Sequence, residues 1–230
     1  MNGIDYRNYE LSSTGRVREA IEWTQTYAYN ATDLTSPRVL LIGDSICNGY
    51  HAKVREKLGD KVNVTFWATS KCVTDPDYLR ELDFILDCRP YSIVTFNNGL
   101  HSLTSDRAEW TAAYRNAVRF IRAKLPKTLL SIVYCTPLKE ADKTAVSREL
   151  NRVAQRIADG EHLPVVDLFS PLDGLDREEY WSDVFHFKDA GKDIQAEILK
   201  NHVLGRLGLA DAAGSLCQQS SETGPDGALR

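Results

Sequence analysis

Five apolar runs of strand length punctuate the chain, each followed by enough residues for a helix: Arg38–Gly43 (RVLLIG), Val62–Ala68 (VNVTFWA), Tyr91–Asn97 (YSIVTFN), Thr128–Thr136 (TLLSIVYCT) and Leu163–Phe169 (LPVVDLF). Several are continuously apolar and rich in Val and Ile, the pattern of strands covered on both faces in a parallel sheet. Helical spacing fills the intervals at Ile46–Leu58, Asp77–Leu86, Arg107–Leu125 and Ala141–Ala158, and again from Lys188 to about Leu204. In Arg107–Leu125 the residues Trp110, Ala113, Tyr114, Ala117, Val118, Ile121 and Leu125 recur at steps of three and four, so one stripe can bury against a sheet. The alternation predicts an α/β protein, a three-layer α/β/α sandwich on a mostly parallel five-stranded sheet with right-handed crossovers. In such sheets ligands bind at the carboxyl ends of the strands, so the chemistry belongs where the strands stop.

A length of 230 residues suits one α/β core. Residues 38–209 are expected to form it. Residues 1–37 read as an N-terminal extension with a helix from about Arg16 to Tyr29 packed on the outside, and 210–230 as a disordered polar tail. A net charge of −4 gives no electrostatic case for nucleic acid. No apolar run approaches the roughly 18 residues that span a bilayer, and the N-terminus lacks a basic segment followed by an apolar one, so a cytoplasmic protein without a membrane partner is expected. The five cysteines, Cys47, Cys72, Cys88, Cys135 and Cys217, include no CxxC pair, which argues against a disulfide framework and a zinc site. His51, His162 and His202 lack metal-ligand spacing and read as structural or surface residues. Neither a metal nor a cofactor is expected.

Three strand ends carry chemistry. The first run leads into GDSICNGY, where Gly43 permits a tight exit and Ser45 opens a helix. A helix N-terminus favours negative charge, and the Ser45 N–H can face a developing oxyanion; an ordinary N-cap is the plainer role for the same serine. No phosphate-binding GxxxxGK[ST] or GxGxxG follows the strand. The third run ends in FNNGLHSL, where Asn97 and Asn98 offer amide donors beside Ser45 if the first and third strands are neighbours, although an Asn-Asn-Gly turn also caps its own backbone. Before the last helix stands YWSDVFHFKDAGKD, in which one bend would bring the Asp183 carboxylate to one nitrogen of His186 and leave the other facing the sheet edge. That pairing suits a general base and its orienting carboxylate.

Taken in chain order, Gly43-Asp44-Ser45, NNGLH and SDVFHFKDAG resemble the sequence blocks of the SGNH/GDSL hydrolases, from about Arg38 to Leu204. The resemblance implies a flavodoxin-like SGNH hydrolase fold and a serine esterase or deacylase acting on small acyl esters, acetyl on carbohydrates in particular. It implies Ser45 as nucleophile, His186 as general base and Asp183 as its partner, with Ser45 also giving an oxyanion N–H. FNNGLH stands where the family has GxND; Asn97 is favoured over Asn98 as the oxyanion amide because the chain resembles a subgroup with an NxGLH pattern. WATSKCVTD has no glycine where the family draws another oxyanion N–H, leaving Cys72 or Lys71 for that task. His101 beside the Asn block could touch substrate, Cys47 reads as packing, and Trp181 could wall a pocket. An acyltransferase using the same site and a non-catalytic binding module on the same fold are the alternatives; a phosphate binder would leave Asp183 and His186 without a purpose.

Overall fold

A computed structural model describes residues 3–15 and 18–210. Its sheet has six strands, β1 (Thr24–Ala28), β2 (Arg38–Gly43), β3 (Asn63–Thr69), β4 (Ile93–Phe96), β5 (Leu129–Val133) and β6 (Val165–Val166), in the order β1-β3-β2-β4-β5-β6. The five strands from β2 to β6 run parallel, as their unbroken apolar character demands: every residue of β2, β3 and β4 is buried. Helices α1 (Ser45–Leu58), α2 (Tyr78–Asp87), α3 (Arg107–Lys124), α4 (Thr144–Glu161), α5 (Ser170–Asp173), α6 (Arg177–Tyr180) and α7 (Asp189–Arg206) complete the layers. Helix α1 packs on α7, and α2 on α3. The predicted stripe on α3 is realised, with Trp110, Ala113, Tyr114, Ala117, Val118 and Ile121 all buried.

The helix expected over Arg16–Tyr29 is a misreading. Residues 24–28 form β1, antiparallel to β3, with Thr24 opposite Thr69 and Ala28 opposite Thr65. β3 would otherwise end the sheet with an unpaired edge, and the Thr and Tyr content of TQTYA suits a strand. Trp23, Tyr27 and Tyr29 fall at even spacing, a period-two signal that the search for period 3.6 passes over. The sheet therefore has six strands rather than five, and the extension is part of it. The turn between β1 and β2 is pinned by Arg38, a buried guanidinium whose Nη1 donates to the Tyr29 carbonyl at 2.7 Å and whose Nη2 donates to the Asn30 carbonyl at 2.8 Å. All but the first residue of the 210–230 tail lies outside the described residues. Among the described residues no helix is long and apolar enough to cross a membrane.

The topology sets the place of the site. β2 has β3 on one side and β4 on the other, with Ile42 opposite both Trp67 and Phe96, so the chain reverses its direction of winding at β2. The carboxyl end of β2 is the switch point, where an open α/β sheet leaves a crevice.

Candidate active site

At the end of β2, Gly43 makes room for the helix that follows, since a Cβ there would lie 2.6 Å from the Cβ of Cys47. Asp44 is extended and buried, and its Oδ1 accepts the Ile46 N–H at 2.9 Å. Asp44 is therefore the N-cap of α1, and Ser45 is released from that ordinary duty. As the first residue of α1, Ser45 has an N–H outside the intrahelical ladder, at the positive end of the helix dipole.

The His186 loop is built to hold a short bend. Trp181 and Phe187 form an antiparallel bridge with ring centroids 4.4 Å apart, the Ser182 N–H donates to the His186 carbonyl at 2.9 Å, and the Lys188 N–H donates to the Tyr180 carbonyl at 2.8 Å. Within the closed loop Asp183 Oδ1 accepts the N–H groups of Phe185 and His186, each at 2.9 Å, while Oδ2 lies 2.8 Å from His186 Nδ1. A carboxylate only accepts, so Nδ1 carries the proton and Nε2 keeps its lone pair. That lone pair meets Ser45, whose Oγ is 2.8 Å from Nε2. Burial works against ionising Asp183, but the backbone N–H groups of His186 and Phe185 and the His186 ring outweigh it and hold the carboxyl down at about 2. Trp181 does not wall a pocket: it is fully buried and donates from Nε1 to the Pro137 carbonyl at 3.3 Å.

The two asparagines behind Ser45 differ. Asn97 Nδ2 donates to the Val133 carbonyl at 2.8 Å and toward Cys135 Sγ at 3.6 Å, so both of its amide hydrogens point into the β4–β5 side of the core. Asn98 instead bridges the loop after β3: its Oδ1 accepts the Val73 N–H at 3.0 Å and its Nδ2 donates one hydrogen to the Lys71 carbonyl at 2.8 Å. Beside it, the buried Tyr78 hydroxyl also interacts with the Asn98 side chain. The same loop separates the two backbone candidates, because the Lys71 N–H is taken by Thr69 Oγ1 at 3.2 Å whereas the Cys72 N–H donates to no described residue. Gly99 is needed for the close packing here, since a Cβ would fall 2.1 Å from Cys135 Sγ.

In front of Ser45 lies a cleft of about 330 Å³ bounded by His186, Phe185, Leu100, Leu103, His101 and Glu19. Sequence reasoning named His101 but not Phe185, which sits between Asp183 and His186 and could have been found from that position. Glu19 arrives from the N-terminal extension by tertiary packing and leaves no local signal. Cys47 and Cys135 do not compete with Ser45, because burial pushes both thiols up to about 12 and keeps them protonated. His51, stacked on Phe66 at 3.6 Å, and His202, whose Nε2 lies 2.8 Å from Ser131 Oγ, are held down at about 4 by burial and stay neutral.

Several solved structures share this architecture. A catalytic mutant of an acetylxylan esterase from Geobacillus stearothermophilus is 18% identical and aligns over 76% of this chain and 97% of its own, with a TM-score of 0.59. A carbohydrate esterase family 3 protein from Talaromyces cellulolyticus is 14% identical over 76% of this chain and 100% of its own, with a TM-score of 0.60. A family two carbohydrate esterase from Clostridium thermocellum, solved with cellohexaose, is 14% identical over 76% of this chain and 65% of its own, also at 0.60. No curated protein matches the chain in sequence. The model of the GDSL-like lipase/acylhydrolase family matches residues 41–194, a span that takes in the first strand end, both asparagines and the histidine loop. With more than half of its length matched, the chain belongs to the GDSL-like lipase/acylhydrolase family and is an ester-hydrolysing enzyme.

Proposed function

We propose that the chain is a serine esterase that removes small acyl groups, acetyl foremost, from carbohydrate esters through a Ser45–His186–Asp183 triad. The observation that carries this reading is the unbroken relay of hydrogen bonds from Asp183 Oδ2 through the His186 ring to Ser45 Oγ, both links at 2.8 Å, opening on the cleft. His186 takes the hydroxyl proton as Ser45 Oγ attacks the ester carbonyl, and Asp183 stabilises the imidazolium that forms. His186 then protonates the departing alcohol, and a water deprotonated by the same nitrogen releases the acid.

Negative charge on the carbonyl oxygen needs donors that are not already engaged. The Ser45 N–H at the start of α1 and the Cys72 N–H meet that requirement; of the two amides, Asn97 directs both hydrogens into the core, whereas Asn98 gives one to the Lys71 carbonyl and has the other near the Tyr78 hydroxyl, so we assign the amide to Asn98. Each such donor is worth on the order of 3 kcal/mol of barrier. Carbohydrate is favoured as the alcohol because the acetylxylan esterase and the carbohydrate esterases share this fold. The test is turnover of a short-chain aryl acetate. Ser45→Ala and His186→Ala should each lower kcat by about 10³-fold or more. Full activity in Ser45→Ala would end the reading.

A further inference from the structure

Two histidines border the cleft, each paired with a carboxylate, and the mechanism uses only one of the pairs. Across from Asp183–His186, His101 Nδ1 lies 2.7 Å from Glu19 Oε1, and both residues line the cleft that Ser45 opens on. We propose that Glu19 and His101 form a substrate-positioning pair that accepts a hydrogen bond from a hydroxyl on the alcohol portion of the ester. The proposal rests on the esterase reading above and narrows its substrate class to esters of polyols with a free hydroxyl close to the acyl group.

The chemistry follows from which nitrogen is occupied. With Nδ1–H donated to the Glu19 carboxylate, the lone pair of the imidazole at Nε2 is the acceptor left for a ligand, and Nε2 has no partner among the described residues. The His101 side chain is only 18% exposed, so this acceptor is partly shielded from water while facing the cleft. A hydroxyl supplies the donor it lacks; an unsubstituted aryl ester does not.

The pair is also braced. His101 sits in the 3₁₀ turn Leu100–Ser102 that follows the Asn block, and the edge of Trp23 meets its ring at 6.5 Å and 79°. Trp23 is fastened to the sheet edge, its N–H donating to Ser70 Oγ at 2.9 Å and its carbonyl accepting from Thr69 Oγ1 at 2.9 Å. Next to Glu19, Arg18 reaches Asp77 Oδ2 at 2.8 Å. The extension thus delivers an acidic side chain to the cleft from outside the repeating strand–helix units, where an aromatic residue and an ion pair set its position. A purely packing histidine needs no such partner.

The experiment compares kcat/KM for a monoacetylated methyl glycoside with that for an aryl acetate, each measured on folded wild type, His101→Leu, His101→Gln and Glu19→Ala. In His101→Leu the glycoside-to-aryl ratio should fall about 10-fold, mainly through KM for the glycoside, as expected for loss of one buried hydrogen bond. His101→Gln, whose Oε1 can accept the same hydroxyl, should recover part of the ratio, and Glu19→Ala should lower it by a smaller factor. A wild-type ratio in active His101→Leu, or equal losses on both esters with no recovery in His101→Gln, would overturn the proposal alone. Absence of turnover of either ester by the wild-type chain would instead remove the esterase reading and this proposal with it.

Discussion

Ser45 and His186 stand 141 residues apart in the chain, yet Oγ of the first lies 2.8 Å from Nε2 of the second. The helices beside them explain the closeness. Ser45 begins α1, His186 lies three residues before the start of α7, and the two helices pack together, with Lys53 Nζ 2.9 Å from Asp189 Oδ2 and Lys57 Nζ 3.1 Å from Asp193 Oδ1. These ion pairs are partly exposed and individually weak.

The Asp183 carboxyl gives a pH dependence. Its value of about 2 lies below the ordinary 3.8, so folding favours the ionised form. Its contribution is therefore present above the ordinary carboxylate range and is lost as pH falls toward about 2. Melting curves of wild type and Asp183→Asn should differ by a small, constant amount above about pH 5 and converge as pH drops below about 4. The difference is small because the side chain is more than half exposed. A gap that widens on acidification would contradict this sign.

The two asparagines should separate by readout. Asn98→Ala should also cost stability, since it unpairs the Val73 N–H and the Lys71 carbonyl, but it should lower kcat of the folded enzyme by about 10²-fold with little change in KM, the signature of a donor used mainly in the transition state. Asn97→Ala should act chiefly on stability, because it leaves the Val133 carbonyl without its donor at 2.8 Å. Steady-state kinetics beside thermal melting distinguish the cases, and a larger kcat loss in Asn97→Ala would reverse the assignment.

Gly99 and Cys135 should be coupled. Gly99→Ala drives a methyl to 2.1 Å from Cys135 Sγ, and overpacking of this kind costs about 1–3 kcal/mol. Removing the sulfur in Gly99→Ala/Cys135→Ala leaves the Cys135 Cβ as neighbour at 3.8 Å, an ordinary contact. Denaturant melts of the four variants should show the double variant more stable than the sum of the two single changes implies. Simple additivity would mean that the loop gives way instead.

The parallel core was legible because its strands are buried on both faces and carry their own apolar signal; Arg38–Gly43 was read to the residue. β1 was not, since four of its five residues are exposed and its pairing with β3 is a long-range event. The site shows the same division. Ser45, Asp183 and His186 announce themselves because each lies in a short motif at a strand end or helix start. The roles of Asn97 and Asn98 depend on which carbonyl each amide meets, Val133 or Lys71, and those partners come from opposite sides of the site. Glu19 meets His101 across 82 residues, a contact that no local pattern records.

The most direct test of the account is covalent: incubate the intact chain with a fluorophosphonate and locate the adduct by peptide mass spectrometry. Stoichiometric phosphonylation at Ser45, slowed by about 10³-fold in His186→Ala, is the expected result. An adduct on another residue, or labelling of Ser45 at the same rate without the His186 imidazole, would contradict the triad.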